Sequence, residues 1–489
     1  MKQQRLFVLA PQRALAERVV KGRAFCFVDT SGHEPVDFSA IASCQETGGI
    51  PELLIADDYF EEVRSWLAAD ARINLTSAHV RVVLSRASER YLSYRSRYAD
   101  DPLRDIIVFR SGPHPSAYVP GMDFSDNARA LFEYMLREHF DDRYELVWFV
   151  HDPQEFAGRY LGRRVTFLPD HAAEGGEASE AYYEKLCLAR WIFFTDAYGF
   201  CRYTRSDQVR VQLWHGCGFK TRVNFVPCEH RYEYNIVVSP LYQQIHEKIY
   251  GLRNDQVLVT GYPKEDWLYH RADGWQERLG VPQAKTYIFW LPTFRKVAEA
   301  GLAEVDAYDL AGDTGLPVIE NAAMLEQLEQ DLAAANAVLL IKLHPFQDVR
   351  RIHAGDFPHI CLVDNETLHQ ADLQINEVLA DADALISDYS SAAVDFMVLD
   401  RPIAFTVTDI DEYIAARGFV FDDILEWLPG AHLSTFEDFQ SFVRDVCAGK
   451  DGTANVRARL NRKMHSFFDD RSSQRVCEAL GIAAGRKDS

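Results

Sequence analysis

LISDYSSAAVDF, residues 385–396, carries an apolar run into an apolar-periodic helix through five consecutive polar residues. Leu385 and Ile386 read as the end of a buried strand, and Ala392, Val394 and Phe396 as the start of a helix. A strand-to-helix turn requires one capping residue. Ser387, Asp388, Tyr389, Ser390 and Ser391 exceed that need, and the excess asks for a ligand. The plainer alternative is an N-cap with one spare serine.

The same alternation runs through the chain. Short β-branched and aromatic runs recur at 7–10, 25–29, 52–57, 106–109, 145–150, 191–194, 211–214, 235–238, 257–261, 287–292, 337–343, 384–387 and 402–407. Near-continuous apolar strands separated by helical-period segments predict parallel sheets covered on both faces. The class is α/β, with more strands than one doubly wound sheet usually holds. YADDPLRD near residue 100 marks one break, and the stretch between CEHRYEY and SPLYQQIHEKIYG marks another. The expected division is an amino-terminal α/β segment, 1–103, followed by halves at 104–235 and 236–489. Two facing sheets of this kind bind ligands in the cleft at the carboxyl ends of their strands.

Composition narrows the function. With 489 residues, 47% apolar and 26% charged, the chain has the make-up of a soluble globular protein of two or three domains. It lacks the apolar run of about 18 residues that a membrane-spanning helix needs, and the apolar stretch before Pro11 is too short for a signal peptide. Nine scattered cysteines without a C-x-x-C pair point to reduced thiols in the cytoplasm. A formal charge of −21 opposes binding to nucleic acid or anionic lipid. In SRASERYLSYRSRY (85–98), Arg86, Arg90, Arg95 and Arg97 alternate with Tyr91, Tyr94 and Tyr98. This stretch reads first as a solvated helix face with its aromatic stems packed down, and second as a peripheral docking surface for membrane or polymer.

The residues just beyond the strands carry the chemistry. VQLW leads into His215-Gly216-Cys217-Gly218-Phe219-Lys220, and VLVT into Gly261-Tyr262-Pro263-Lys264-Glu265-Asp266. YIFWL leads into Pro292-Thr293-Phe294-Arg295-Lys296, and LLIKL into His344-Pro345. With the 387–391 turn, this makes a polar cleft fit for an anion. Ser390 or Ser391 caps a helix whose free N–H groups and positive dipole end attract a phosphate, and Arg295 supplies a charge-assisted contact. His215, beside Gly216, has room for a substrate at its ring; His344 is held extended by Pro345. Either imidazole can accept a hydroxyl proton or, protonated, stabilise phosphate oxygens. The ordinary alternative for each is a polar residue bonded to backbone. Cys217, Cys228 and His230 lack a fourth ligand and zinc spacing, and Asp381 and Asp383 precede their strand, leaving Asp388 by itself. No metal is expected.

LWHGCGFK, TGYPKED, LPTFRK, IKLHP, ISDYSSAAVDFMVLDRPIAFTVTDIDEY and RGFVFDD resemble the motif series of the CDP-glycerol glycerophosphotransferase family, the bacterial teichoic-acid and capsule-type polymer transferases. DFSDNARALFEYMLREHFDDRYELVWFVHDP (123–153) extends the resemblance upstream. It implies a GT-B fold, two facing Rossmann-like domains, here with an additional amino-terminal α/β segment. The implied activity is transfer of glycerol phosphate, or a related polyol phosphate, from a CDP-polyol to an acceptor hydroxyl of a polymer or lipid-linked primer. CMP is released, and neither cofactor nor metal takes part. The implied place is the cytoplasm, at the inner face of the cell membrane.

By motif, His215 is the base and His344 lies near the donor's phosphates. Arg295, Thr293, Ser387, Asp388, Ser390 and Ser391 surround the donor, and Gly216 and Lys220 stand on the acceptor side. Asp388 and Asp395 match the flanking acids. H-G-C-G-F-K departs from the family's H-G-T-P-L-K, and residues 1 to about 100 have no counterpart there, so the acceptor stays open. Two other readings remain: a GT-B glycosyltransferase using a nucleotide sugar, and a catalytically silent nucleotide-binding subunit of a polymer-assembly complex.

Overall fold

The strand–helix alternation resolves into three sheets in which every strand pairing is parallel. The computed structural model describes residues 4–10, 26–29, 38–47, 50–56, 63, 67, 70–84, 86–112, 121–170, 179–195, 198–221, 231–292, 314, 316–342, 357–416 and 418–485. Thr293, Arg295, His344, Cys228 and His230 lie outside these residues.

The first sheet contains β1 (Gln4–Ala10), β2 (Cys26–Asp29), β3 (Ile50–Ala56) and β4 (His79–Val83), in the order β2-β1-β3-β4. Phe7, Leu9, Leu53 and Ile55 pack against Phe38, Ile41 and Cys44 of the helix segment that covers it. This sheet belongs to a compact unit built mainly from Met1–Asp101. Residues 86–97 of the same unit form a helix with Tyr91 buried and Arg97 exposed over the rings of Tyr94 and Tyr98, at 6.0 and 5.8 Å. That is the stems-down arrangement of a solvated face.

The other two sheets form the second unit. One holds β5 (Arg104–Arg110), β6 (Glu145–Val150), β7 (Val165–Pro169), β8 (Ala189–Phe194), β9 (Val209–Gln212), β10 (Tyr234–Val237) and β11 (Val257–Val259), in the order β11-β10-β9-β8-β5-β6-β7. The other holds β12 (Thr286–Trp290), β13 (Ala337–Lys342), β14 (Ile360–Val363), β15 (Ala384–Ser387), β16 (Ile403–Thr406) and β17 (Ala431–Leu433), in the order β14-β13-β12-β15-β16-β17. Each chain path starts mid-sheet, builds one side and returns to build the other. Strand order therefore reverses at β5/β8 and at β12/β15, where a doubly wound sheet opens its crevice. These are two Rossmann-like sheets, with an additional α/β sheet before them. The expected division at 235/236 falls inside β10, and β10 and β11 both hydrogen-bond into the second sheet. The change of sheet comes between Val259 and Thr286.

Burial fixes the elements that carry the cleft. Ile288, Trp290, Leu339 and Ile341 of the third sheet meet Leu328, Leu332, Phe439 and Val443 from the helices Ala322–Ala335 and Phe436–Cys447. Each such side chain contributes about 1.5–3 kcal/mol by leaving water. On the second sheet, Phe124, Phe109 and Trp148 surround Phe132, with ring centroids 5.6–5.8 Å apart along Phe109–Trp148, Phe109–Phe132 and Phe132–Trp148. Phe132 belongs to the helix Asp126–Arg137, so this cluster anchors the helix whose first residue reaches the site. No described helix is long and apolar enough to cross a membrane.

Candidate active site

His215 stands three residues beyond the end of β9, with its side chain 47% exposed. Its Nδ1 lies 3.0 Å from Asp126 Oδ2. The two residues come from distant parts of the sequence, and Asn127 holds them together. Its Nδ2 donates to the carbonyls of Leu213 and Trp214 at 3.2 and 2.9 Å, while its Oδ1 accepts the Lys264 N–H at 3.1 Å. Asp126 has φ +58° and Trp214 has φ +55°. Left-handed backbone is uncommon for non-glycine residues and costs of order 1–3 kcal/mol. Strain in one partner of the ion pair and in the residue beside the other is the pattern of a site that packing holds in place.

Lys264, from the turn after β11, lies between two carboxylates. Its Nζ is 3.4 Å from Asp126 Oδ1 and 3.0 Å from Asp395 Oδ2, and it also donates to the His215 carbonyl. Burial alone would raise the Asp126 carboxyl; Lys264 and His215 outweigh it and hold the group below its usual range. Burial would lower Lys264, but the two carboxylates raise it above the ordinary lysine range. One ammonium serves two acids, so Asp395 is left the less compensated. Burial pushes it up to about 7, against the pull of Lys264 and with the push of Glu265.

A carboxyl near 7 when folded and near 3.8 otherwise binds its proton more tightly in the folded chain. Its stabilising contribution is therefore greatest at low pH and is lost as pH rises toward 7. Asp395→Asn should remove a loss of up to roughly 3 kcal/mol between pH 5 and pH 8. Calorimetric melts at both pH values check this, and a variant as pH-sensitive as the wild type would count against it.

The polar crowd at 387–391 divides by burial. Ser387 is fully buried and its Oγ donates to the Leu291 carbonyl at 3.2 Å, tying β15 to the end of β12. Asp388 is also fully buried. Neither side chain is exposed in this structure. Tyr389 donates to Asp409 Oδ1 at 3.2 Å and packs on Tyr413 and Phe419. Ser390 caps the helix Ser391–Phe396, accepting the Ala392 N–H at 3.3 Å. Ser390 and Ser391 alone stay half-exposed.

Ser391 also explains Gly216. A Cβ on Gly216, at φ +137°, would sit 3.1 Å from both Cβ and Oγ of Ser391 and 3.4 Å from Asp395 Oδ1. The missing side chain makes room for the neighbouring helix. The rest of the motif crosses over in the same way: Val420 N–H donates to the Phe219 carbonyl at 2.8 Å, and Lys220 pairs with Phe419. Lys220 Nζ lies 5.4 Å from the Tyr413 ring centroid, a cation–π arrangement. Cys217 is buried, 3.4 Å from the Tyr262 hydroxyl. Asp381 accepts from Trp275 Nε1 at 2.8 Å and pairs with Arg271, and Asp383 accepts the Tyr287 N–H at 2.8 Å.

The structure thus brings His215, Gly216 and Ser391 together and adds Asp126, Lys264 and Asp395. A signal for the first two of these additions exists in the sequence: the D-N pair at 126–127 and the lysine directly after a strand end. A histidine oriented by a largely covered carboxylate, set beside half-exposed hydroxyls at the ends of two Rossmann-like sheets, is the arrangement of a two-sheet α/β enzyme.

The sequence pattern of the CDP-glycerol:poly(glycerophosphate) glycerophosphotransferase family matches residues 105–481, and the chain belongs to that family. It is similar to the teichoic acid glycerol-phosphate transferase of Staphylococcus aureus, 26% identical over 409 residues, covering 78% of this chain and 93% of that one. It is also similar to the teichoic acid ribitol-phosphate primase of Bacillus spizizenii, 23% identical over 314 residues, covering 59% and 74%. In fold it matches the wall teichoic acid polymerase TagF, with a TM-score of 0.61 at 19% identity over 87% of this chain and 97% of that one. A variant of TagF soaked with CDPG matches with a TM-score of 0.60 at 20% identity, over 81% and 96%.

Proposed function

We propose that this enzyme transfers a polyol phosphate, glycerol phosphate foremost, from a CDP-polyol to an acceptor hydroxyl with release of CMP. The observation that carries the reading is the His215–Asp126 pair. A carboxylate 3.0 Å from Nδ1 holds that nitrogen as the donor and makes Nε2 the basic nitrogen of a half-exposed ring. An acceptor hydroxyl at Nε2 gives up its proton as its oxygen attacks the phosphorus that bears the polyol. The new O–P bond forms, the P–O bond to the CMP phosphate breaks, and CMP leaves with the electron pair. Ser390 and Ser391 supply hydroxyl donors to the phosphate oxygens, joined by Thr293, Arg295 and His344 on the strength of their motifs. Catalysis of this kind is positioning plus electrostatics. The proposal includes a polymer or lipid-linked acceptor met at the inner face of the membrane. It keeps residues 1–103 as an appended part, with the acceptor side on the β5–β11 sheet and the donor side on the β12–β17 sheet.

The test is nucleotide release and product mass with CDP-glycerol, CDP-ribitol and common UDP- and CMP-sugars. CMP released from a CDP-polyol supports the reading; turnover confined to a nucleotide sugar overturns it. Ser390→Ala with Ser391→Ala removes a cap worth about 1 kcal/mol, so melting should move by only a few degrees. It also removes two hydrogen bonds to charge, so donor affinity should fall by about one to four powers of ten. Unchanged affinity by titration would mean that the turn only holds its helix.

A further inference from the structure

A cavity of about 190 Å³ in the second unit has Asp126 and Lys264 in its wall. Lys342, the last residue of β13, lines the same cavity. Its Nζ donates to Asn365 Oδ1 at 2.7 Å, and among the described residues no carboxylate forms an ion pair with it. Lys264, the other ammonium in the wall, is committed to Asp126 and Asp395. An ammonium carries three donors and no acceptor. Lys342 spends one of them on a neutral amide oxygen. Burial pushes it down to about 8, with Asp364 pulling the other way. A desolvated cation without a counter-charge costs stability, and local costs of this kind persist where they serve a site.

The cavity's size and lining say what accompanies the anion. Met122, Leu368, Leu373 and Ile375 give it apolar wall. A cavity of roughly 150 Å³ admits one benzene ring, so this one has room for a single six-membered ring, with the rest of a nucleotide-polyol extending beyond it. We infer that the cavity seats the pyrimidine end of the donor, and that Lys342 binds an anionic oxygen of the phosphate attached to that nucleoside. This rests on the CDP-polyol reading and names the residue that would hold the leaving group. The ammonium would then stand where negative charge grows as the bridging P–O bond breaks.

Titration of CMP and of cytidine into the wild type, Lys342→Met and Lys342→Arg, beside thermal melts, tests the assignment. For Lys342→Met the expectation is CMP binding weakened about ten- to a hundredfold, cytidine binding unchanged, and a melting temperature equal to or above that of the wild type. Lys342→Arg, which keeps the charge, should recover part of the CMP affinity. CMP binding unaffected in Lys342→Met overturns the assignment, as does cytidine weakened as much as CMP, which would place the lysine on the base. Loss of both ligands with a lowered melting temperature in both variants would make it a structural residue. A wild type that binds neither CMP nor CDP-glycerol would instead sink the CDP-polyol reading itself.

Discussion

His215→Ala is expected to cut turnover by on the order of 10²-fold or more while leaving affinity for a CDP-polyol nearly unchanged. The ring's Nδ1 is engaged by Asp126, which makes Nε2 the basic nitrogen of a half-exposed side chain. That is the arrangement of a base acting on the acceptor, so its loss should fall on the chemical step. Asp126→Asn sharpens the test. Asparagine tolerates the left-handed backbone that Asp126 adopts at φ +58°, so the fold is kept. An amide facing Nδ1 can present an N–H where the carboxylate presented an acceptor, and it then favours the wrong tautomer. Turnover should fall within about 10²–10⁴-fold. The double variant should be little worse than the poorer single one, because the pair acts as a unit. Steady-state rates with calorimetric titration of the donor decide the matter. Near-normal turnover in His215→Ala would remove the base assignment.

Legibility in the sequence tracks burial. The strands visible as apolar runs include every interior strand of the three sheets. The four that those runs miss, β4, β7, β14 and β17, all lie at sheet edges. An edge strand is covered less completely and needs no continuous apolar run. In β7 the burial is only partial along its length, and in β4 Val80 and Val82 are exposed. The boundary at 235/236 fails as a change of sheet for a related reason: β10 and β11 are as apolar as the strands on either side, so no composition shift marks where one sheet ends.

In the site, the residues just beyond the strand ends identify His215 and the serines. They cannot reveal Asp126, which stands at the start of a helix 89 residues away from its partner. A hydroxyl or a carboxylate next to a strand end looks the same in sequence whether it faces a ligand, as Ser391 can, or the end of β12, as Ser387 does.

The second large effect is expected at Lys264. Its ammonium is 10% exposed, and the carboxylates it serves are 20% exposed in Asp126 and 2% in Asp395. Removing one partner of a buried ionic group leaves the other charges uncompensated, at about 3–5 kcal/mol. Lys264→Met should therefore lower the melting temperature by roughly 4–6 °C. The catalytic consequence should appear in the variant that still folds. Without Lys264, Asp126 loses the cation that does most to hold its carboxyl below the usual range. The group should then protonate at higher pH, and the acidic limb of the rate profile should move upward. Lys264→Arg, which keeps the charge, should restore most of the stability. Asp395→Asn placed on Lys264→Met should also recover part of the loss, since it removes the more buried of the two stranded acids. Calorimetric melts of the four proteins, with pH–rate profiles of those that fold, separate these effects. A Lys264→Met variant that melts with the wild type would show that the two acids are neutral or solvated, and that the lysine does not join the His215 loop to the helix that begins at Ser391.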